Sequence, residues 1–307
     1  MTLKRLFWAI AFVLFIVLNV NAQGGKGGFL CAFMDGGAQD LRYCISTDGY
    51  HFTQVNGGKT ILKSTTGGKI LRDPQIIKDK NGVYHLIATN AWAGRTLGMW
   101  DSKDPIHWTN EQSIAIAPVN ADKTWAPEAI YNEKGKDYVF YWTSSLGKND
   151  TTSWSIYYAT TKDFKTFSEP AILMHSDVII LDANIVKYNK DKYYMFYRIY
   201  SQVWRKESDQ LLGNYTNPTL MIDANGEGPY VYEVRKHKWN MVWDLYKENG
   251  GWYGMAESTN LTDWKWITNK SNPFYNEKVS FPLGVRHGSV IQISGSELNK
   301  IQAAGFN

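Results

Sequence analysis

Apolar positions in this chain come in short runs separated by turn-forming residues, and no long segment carries a helical stripe. One set of runs is Val83-Tyr84-His85-Leu86-Ile87-Ala88, Tyr138-Val139-Phe140-Tyr141-Trp142, Tyr193-Tyr194-Met195-Phe196-Tyr197 and Asn240-Met241-Val242-Trp243. A second set includes Leu97-Gly98-Met99-Trp100 and Ser155-Ile156-Tyr157-Tyr158-Ala159. The runs are rich in β-branched and aromatic residues. Gly, Asn, Asp and Lys clusters such as Lys80-Asn81-Gly82 bound them, which predicts strands joined by tight turns.

Two phrases recur around these runs. The first opens a strand and carries an acid or a histidine: Arg72-Asp73-Pro74, Trp125-Ala126-Pro127-Glu128, Leu181-Asp182-Ala183-Asn184, Gly226-Glu227-Gly228-Pro229 and Arg286-His287-Gly288. The intervals between their acid or His members are 55, 54, 45 and 60 residues, the spacing of a repeat architecture. The second phrase is Ser/Thr, any residue, Asp/Asn, three residues, then Phe/Trp. It starts at Ser46, Ser102, Thr161 and Ser258. Asp or Asn suits a turn there because its side chain bonds its own backbone, and the aromatic anchors the following strand. The third repeat lacks this phrase. Its polar stretch 201–216, with Trp204-Arg205-Lys206-Glu207, leaves its outer strands unplaced.

Each repeat therefore holds four strands: an acid-headed strand, two apolar strands and a fourth after the turn. Radial repetition of such units predicts an all-β, five-bladed β-propeller spanning 29–307 as one domain. Residues 29–55 supply only the later strands of a blade. Residues 286–293 supply the missing first one, so the N- and C-terminal strands are expected to pair and close the ring.

Composition narrows the function. The chain has 307 residues, 44% hydrophobic and 15% aromatic, with 13 Trp and 19 Tyr. That suits both strand packing and contact with sugar faces. The formal charge is +4 and scattered, without the basic run that nucleic-acid binding calls for. Lys4 and Arg5, the apolar run 6–18 and Asn19-Val20-Asn21-Ala22 form a secretory signal over 1–22, followed by a flexible Gly-rich leader at 23–28. The expected product is exported, periplasmic or secreted, and free of the membrane once cut. Cys31 and Cys44 are the two cysteines. A hairpin places them opposite each other, as a disulfide or as two buried thiols.

In a propeller the first strand of each blade lines the central channel. Asp73, Glu128, Asp182, Glu227 and His287 are therefore expected to converge at one rim. Clustered carboxylates cannot all be comfortably ionised, so at least one should have a raised pKa. A proton-holding acid beside an ionised base is what glycosidic cleavage needs. Arg72 and Arg286 are expected to neutralise the rim. Trp92 and Trp125 are candidate sugar platforms, Trp243 falls to blade packing, and the loop 90–95 shapes the mouth.

These motifs, in this order and spacing, resemble glycoside hydrolase family 43, and in particular its Bacteroides-type members. The resemblance covers about 29–293. It implies an inverting enzyme, chiefly an α-L-arabinofuranosidase, with β-xylosidase or β-galactofuranosidase next, acting on an oligo- or polysaccharide as a monomer. It implies Asp73 as general base, Asp182 as the residue that orients the acid and raises its pKa, and Glu227 as general acid. It implies a substrate contact from Glu128, and Arg72, Trp92, Trp125, Arg286 and His287 are further candidate substrate-binding residues by their place at the mouth. No cofactor is required, although the resemblance gives His287 as a water-mediated holder of a structural Ca2+ in the channel. Ala183 departs from the Pro that often follows the third-blade Asp.

Three alternatives stand beside this reading. Retaining fructan hydrolases need an Asn-Asp-Pro-Asn phrase and a Glu-Cys acid, and neither occurs in the sequence. Glycoside phosphorylases need a basic phosphate pocket. A non-catalytic sugar-binding propeller would not need Asp73 together with Glu227.

Overall fold

The computed structural model describes residues 27–147, 154–223, 226–245, 253–268 and 277–304. The expected signal segment and most of the leader lie outside the described residues. Strands dominate: β1 (Gly28–Met34), β2 (Leu41–Ser46), β3 (Thr53–Gln54), β4 (Arg72–Lys78), β5 (Tyr84–Thr89), β6 (Thr96–Ser102), β7 (Thr109–Ala115), β8 (Ala121–Asn132), β9 (Asp137–Leu146) and β10 (Ser155–Thr161). They continue with β11 (Ala171–His175), β12 (Ile180–Asn189), β13 (Lys192–Ile199), β14 (Gln202–Ser208), β15 (Thr216–Ile222), β16 (Glu227–Arg235), β17 (Lys238–Asp244), β18 (Tyr253–Ser258), β19 (Lys265–Trp266) and β20 (Arg286–Ile293).

The strands form five separate four-stranded antiparallel sheets: β4-β5-β6-β7, β8 to β11, β12 to β15, β16 to β19, and β20-β1-β2-β3. The chain is a five-bladed β-propeller. Its fifth blade joins the two ends of the chain, with β20 antiparallel to β1 from Gly28↔Ile293 onward. Gly28, expected in the flexible leader, is therefore the first residue of the closing strand. A Cβ there would meet the Ser46 carbonyl at 2.6 Å, so this glycine serves close approach rather than flexibility. Cys31 and Cys44 are cross-strand partners, both buried and free.

The turn phrases fold as expected. Ser46 Oγ accepts from the amides of Asp48 and Gly49, and Asp48 Oδ1 accepts from Tyr50 and His51. Ser258 and Asn260 repeat the pattern. The third blade, unplaced from sequence, is complete. Trp204-Arg205-Lys206-Glu207 lies within β14, and Ser208 Oγ accepts from Gln210 N, a reduced form of the same turn. Arg205 hid this strand from the apolar pattern, yet it is buried, stacking over Tyr194 and donating to the Leu261 carbonyl.

A nine-residue helix, α1 (Gly295–Ala303), follows β20; the strand pattern of the sequence did not reveal it. A capping box of Ser294 and Glu297 starts it, which satisfies free amides at its first turn. Leu298 and Ile301 bury against blades one and five, and Glu297 accepts from Tyr84 OH and Lys78 Nζ of blade one.

Candidate active site

Each inner strand breaks its pairing at the same place. The register shifts at 72/75, 125/128, 181/184 and 227/230, and opposite Arg286 in the fifth blade. The first residue inside each of four of these bulges is left-handed: Asp73 (φ 51°), Ala126 (50°), Asp182 (57°) and Gly228 (55°). A bulge re-aims side chains where pairing is interrupted, and here it turns them into the mouth of the channel. Left-handed φ in Asp is tolerated because a short polar side chain can bond locally.

The bulges also set depth. Arg72, Trp125, Leu181, Glu227 and Arg286 hold one position, and Asp73, Ala126, Asp182, Gly228 and His287 hold the next. Gln75, Glu128, Asn184, Tyr230 and Ser289 follow further down the strands. Asp73, Asp182, Glu227 and His287 thus share the rim, and Glu128 does not. That corrects the expected five-fold convergence, because Pro127 and the bulge carry Glu128 past the rim. Its carboxylate is buried, accepting from Tyr141 OH at 2.7 Å and Asn184 Nδ2 at 2.8 Å. It belongs to a belt linking blades, in which Gln75 accepts from Ala129 N, Asn184 from Val231 N, and Ser289 from Ile76 N. Burial pushes the Glu128 carboxyl up to about 8 against those two hydrogen bonds.

At the rim, His287 Nδ1 lies 3.1 Å from Asp73 and 3.9 Å from Asp182. Thr89 Oγ1 donates to Asp73 Oδ2 at 2.7 Å and accepts from Ala126 N. Burial alone would raise Asp73, but the charge and hydrogen bond of His287, with Arg72 and Thr89, hold it well below the usual carboxylate range. Burial works against charge on His287. Asp73 and Asp182 overcome it and lift the imidazole to about 9.

Glu227 lies between two guanidinium groups, 2.7 Å from Arg198 Nη1 and 2.7 Å from Arg286 Nη2. Its carboxyl is nonetheless raised. Burial is the largest cause and the Asp182 charge the next, and together they outweigh Arg198, His287 and Arg286. Asp182 Oδ2 also accepts from Gly228 N, which ties it to the strand that carries Glu227. Behind them Asp244, with no exposed side-chain surface, holds Arg286 Nε at 2.5 Å and accepts from His287 N. Burial raises Asp244 to about 7 despite Arg286.

Thr89, Arg198 and Asp244 escaped the sequence reading. Each closes the second strand of a blade, opposite the bulge: Arg72↔Thr89, Leu181↔Arg198 and Glu227↔Asp244. The usable signal was the hairpin offset, since Thr89 and Arg198 each stand 16 residues after the rim Asp of their own blade.

Aromatic groups wall one side. Trp92 is 50% exposed, edge-on to Trp125 at 6.0 Å and capped by the Arg72 guanidinium at 4.7 Å. Trp125 in turn contacts Trp154. The loop beneath Trp92 is tied to the next blade by Gly94 N to Asp122 O and Thr124 Oγ1 to Gly94 O. Trp243 is core, packed on Trp266. His287 Nδ1 faces both Asp73 and Asp182, and among the described residues no three His, Cys, Asp or Glu side chains are grouped to hold a metal directly.

Fold and site together define a five-bladed propeller with a carboxylate-lined mouth. Residues 28–299 match the family described as "Probable glycosyl hydrolase domain", which is related to glycoside hydrolase family 43, and the chain belongs to that family. It is similar to an alpha-L-arabinofuranosidase of Bifidobacterium longum subsp. longum, 30% identical over 173 residues, a match covering 46% of this chain and 16% of that protein. The chain thus spans less than a fifth of that curated relative. Among solved structures it resembles a thermostable family-43 glycoside hydrolase (TM-score 0.58, 20% identity, 74% of this chain and 82% of that one). It also resembles an alpha-L-arabinofuranosidase from Podospora anserina (TM-score 0.55, 17% identity, 72% and 76%). At such identities the likeness speaks for the fold.

Proposed function

We propose that this chain is an exported, inverting glycoside hydrolase that removes terminal pentofuranosyl or pentosyl residues from plant-type polysaccharides. α-L-Arabinofuranosides lead, with β-xylosides and β-galactofuranosides next. The observation that carries the reading is the opposite treatment of two carboxyls at one mouth: Asp73 is held anionic while Glu227 is pushed towards its protonated form. Such a divided pair is what acid–base cleavage of a glycosidic bond requires.

In this reading Glu227 donates its proton to the glycosidic oxygen as the bond from that oxygen to the anomeric carbon breaks. A water molecule attacks the opposite face of the same carbon, and Asp73 takes its proton. The product is a free sugar of inverted configuration, with Glu227 ionised and Asp73 protonated until exchange with solvent resets both. Asp182 supplies the negative charge that keeps Glu227 a proton donor, and Arg198 and Arg286 receive it once ionised. Trp92 offers a flat face to a sugar ring. The choice of arabinofuranose is supported by similarity to the alpha-L-arabinofuranosidase of Bifidobacterium, and export rests on the N-terminal sequence pattern.

Incubation with aryl α-L-arabinofuranoside, β-xyloside and β-galactofuranoside, followed by proton NMR of the first product, tests the proposal. We expect fastest release from the arabinofuranoside, with the β-anomer of arabinose appearing first. Retention of configuration would reject the roles of Asp73 and Glu227, and no cleavage of any of the three would reject the substrate class.

A further inference from the structure

One residue at the mouth breaks the local rules of its own turn. β13 and β14 are joined by a two-residue hairpin, with Ile199 paired to Gln202. The residues between are Tyr200 and Ser201. Such turns favour Asn-Gly or Gly because they need left-handed backbone. Tyr200 adopts φ 52°, a conformation a bulky side chain resists. Phe164, another aromatic in that conformation, is buried and offsets the strain by packing. Tyr200 is 64% exposed, so packing does not explain its presence.

The turn is also fixed against the acid. The Tyr200 carbonyl accepts from Arg198 Nε, and Arg198 Nη1 holds Glu227. The Ser201 carbonyl accepts from the amide of Gly226, the residue before Glu227. Two tethers therefore fix the turn that carries this exposed side chain against the strand of Glu227. Trp92 sits elsewhere on the rim, in the hairpin loop of the blade that carries Asp73 and Thr89.

We infer that Tyr200 forms the leaving-group subsite, an aromatic platform on which the departing sugar of an oligo- or polysaccharide stacks beside Glu227. The inference rests on Glu227 being the general acid. A proton donor stands next to the leaving oxygen, so the sugar attached to that oxygen lies on the same side of the mouth. An exposed aromatic side chain on a tethered turn offers an apolar face there, and backbone strain kept at a functional site is a recognised pattern.

The test compares two substrates of the intact protein: an arabinofuranosylated xylotriose, whose leaving group is a sugar, and α-L-arabinofuranosyl fluoride, whose leaving group is one atom. In Tyr200→Gly, kcat/KM for the oligosaccharide should fall about tenfold more than for the fluoride, chiefly through KM, consistent with the loss of one aromatic stack. Tyr200→Phe should restore most of the difference. Glycine accepts left-handed backbone freely, so Tyr200→Gly should melt no lower than the parent, which separates a lost platform from a damaged fold. Equal losses on both substrates, or none on either, would overturn the inference. Glu227→Gln is the control for the acid itself. If that variant keeps parental turnover of the oligosaccharide, the acid assignment fails first. If it loses turnover and Tyr200→Gly shows no preference between substrates, the platform alone fails.

Discussion

Single residues at the mouth are specified by their neighbours in space more than by their own chemistry. Asp73 and Glu227 are both carboxyls, yet a histidine and a threonine face one while burial and an aspartate act on the other. Asp73→Asn and Glu227→Gln should each lower kcat at least a thousandfold with circular dichroism unchanged, given acid–base contributions of roughly 10²–10⁴. The pH profile of kcat/KM follows the same logic. Asp73 must be ionised, so the acidic limb should lie below the ordinary carboxylate range of about 4. Glu227 must be protonated, so activity should fall as pH rises through its raised pKa. Asp182→Asn removes a charge that raises Glu227, and the alkaline limb should move to lower pH. A limb that stays in place would remove Asp182 from this role. Glu128 gives a stability prediction instead. Its folded pKa, about 8, exceeds its unfolded value of 4.5, so its contribution is fully present below pH 4.5 and is lost as pH rises through 8. The Tm of Glu128→Gln relative to the parent should therefore climb across that window, as followed by thermal melts at several pH values.

At the level of elements, one strand design is used five times. The bulge near the start of each inner strand presents the rim residues, and the turn after each third strand lies on the opposite face. The two ends of a blade are thus separable. Ser258 Oγ accepts from the amides of Asn260 and Leu261 at that far end. Ser258→Ala should cost about 1 kcal/mol of stability in urea unfolding, with kcat/KM unaltered. The turn phrase was legible because its bonds are local, spanning five residues at most. The third-blade turn was missed because its Ser208 keeps the hydroxyl acceptor but has Gln210 where the others have Asp or Asn. β14 was missed because Arg205 and Glu207 break the apolar run, and only the neighbouring blade shows that Arg205 is buried.

For the whole molecule, ring closure is the costly step, since it joins β1 to β20 across almost the full chain. Gly288 makes that contact possible, because a Cβ there would lie 2.0 Å from the Ala32 carbonyl. The helix α1 then fastens the closing blade to the first one, with Leu298 and Ile301 in a core shared with Leu30, Ala88 and Trp100. Leu298→Ala should lower stability by about 3 kcal/mol, as expected for a leucine truncated in a core, measured by denaturant titration. The rate per folded molecule should persist, since α1 lies at the end of β20 remote from the mouth.

The sequence by itself determined the number of blades, the strand that closes them and the motif that opens each inner strand. Those features are written in local pattern: side-chain alternation, turn chemistry and a repeat that returns at near-even intervals. Only the tertiary structure decided that Glu128 descends below the rim, that Arg198, Asp244 and Thr89 complete the site, and that Asp73 and Glu227 are driven apart in acidity. The physical reason is range. Backbone preferences act over a few neighbours along the chain, whereas burial and charge act across the channel, between residues that meet only after five sheets have been arranged around one axis.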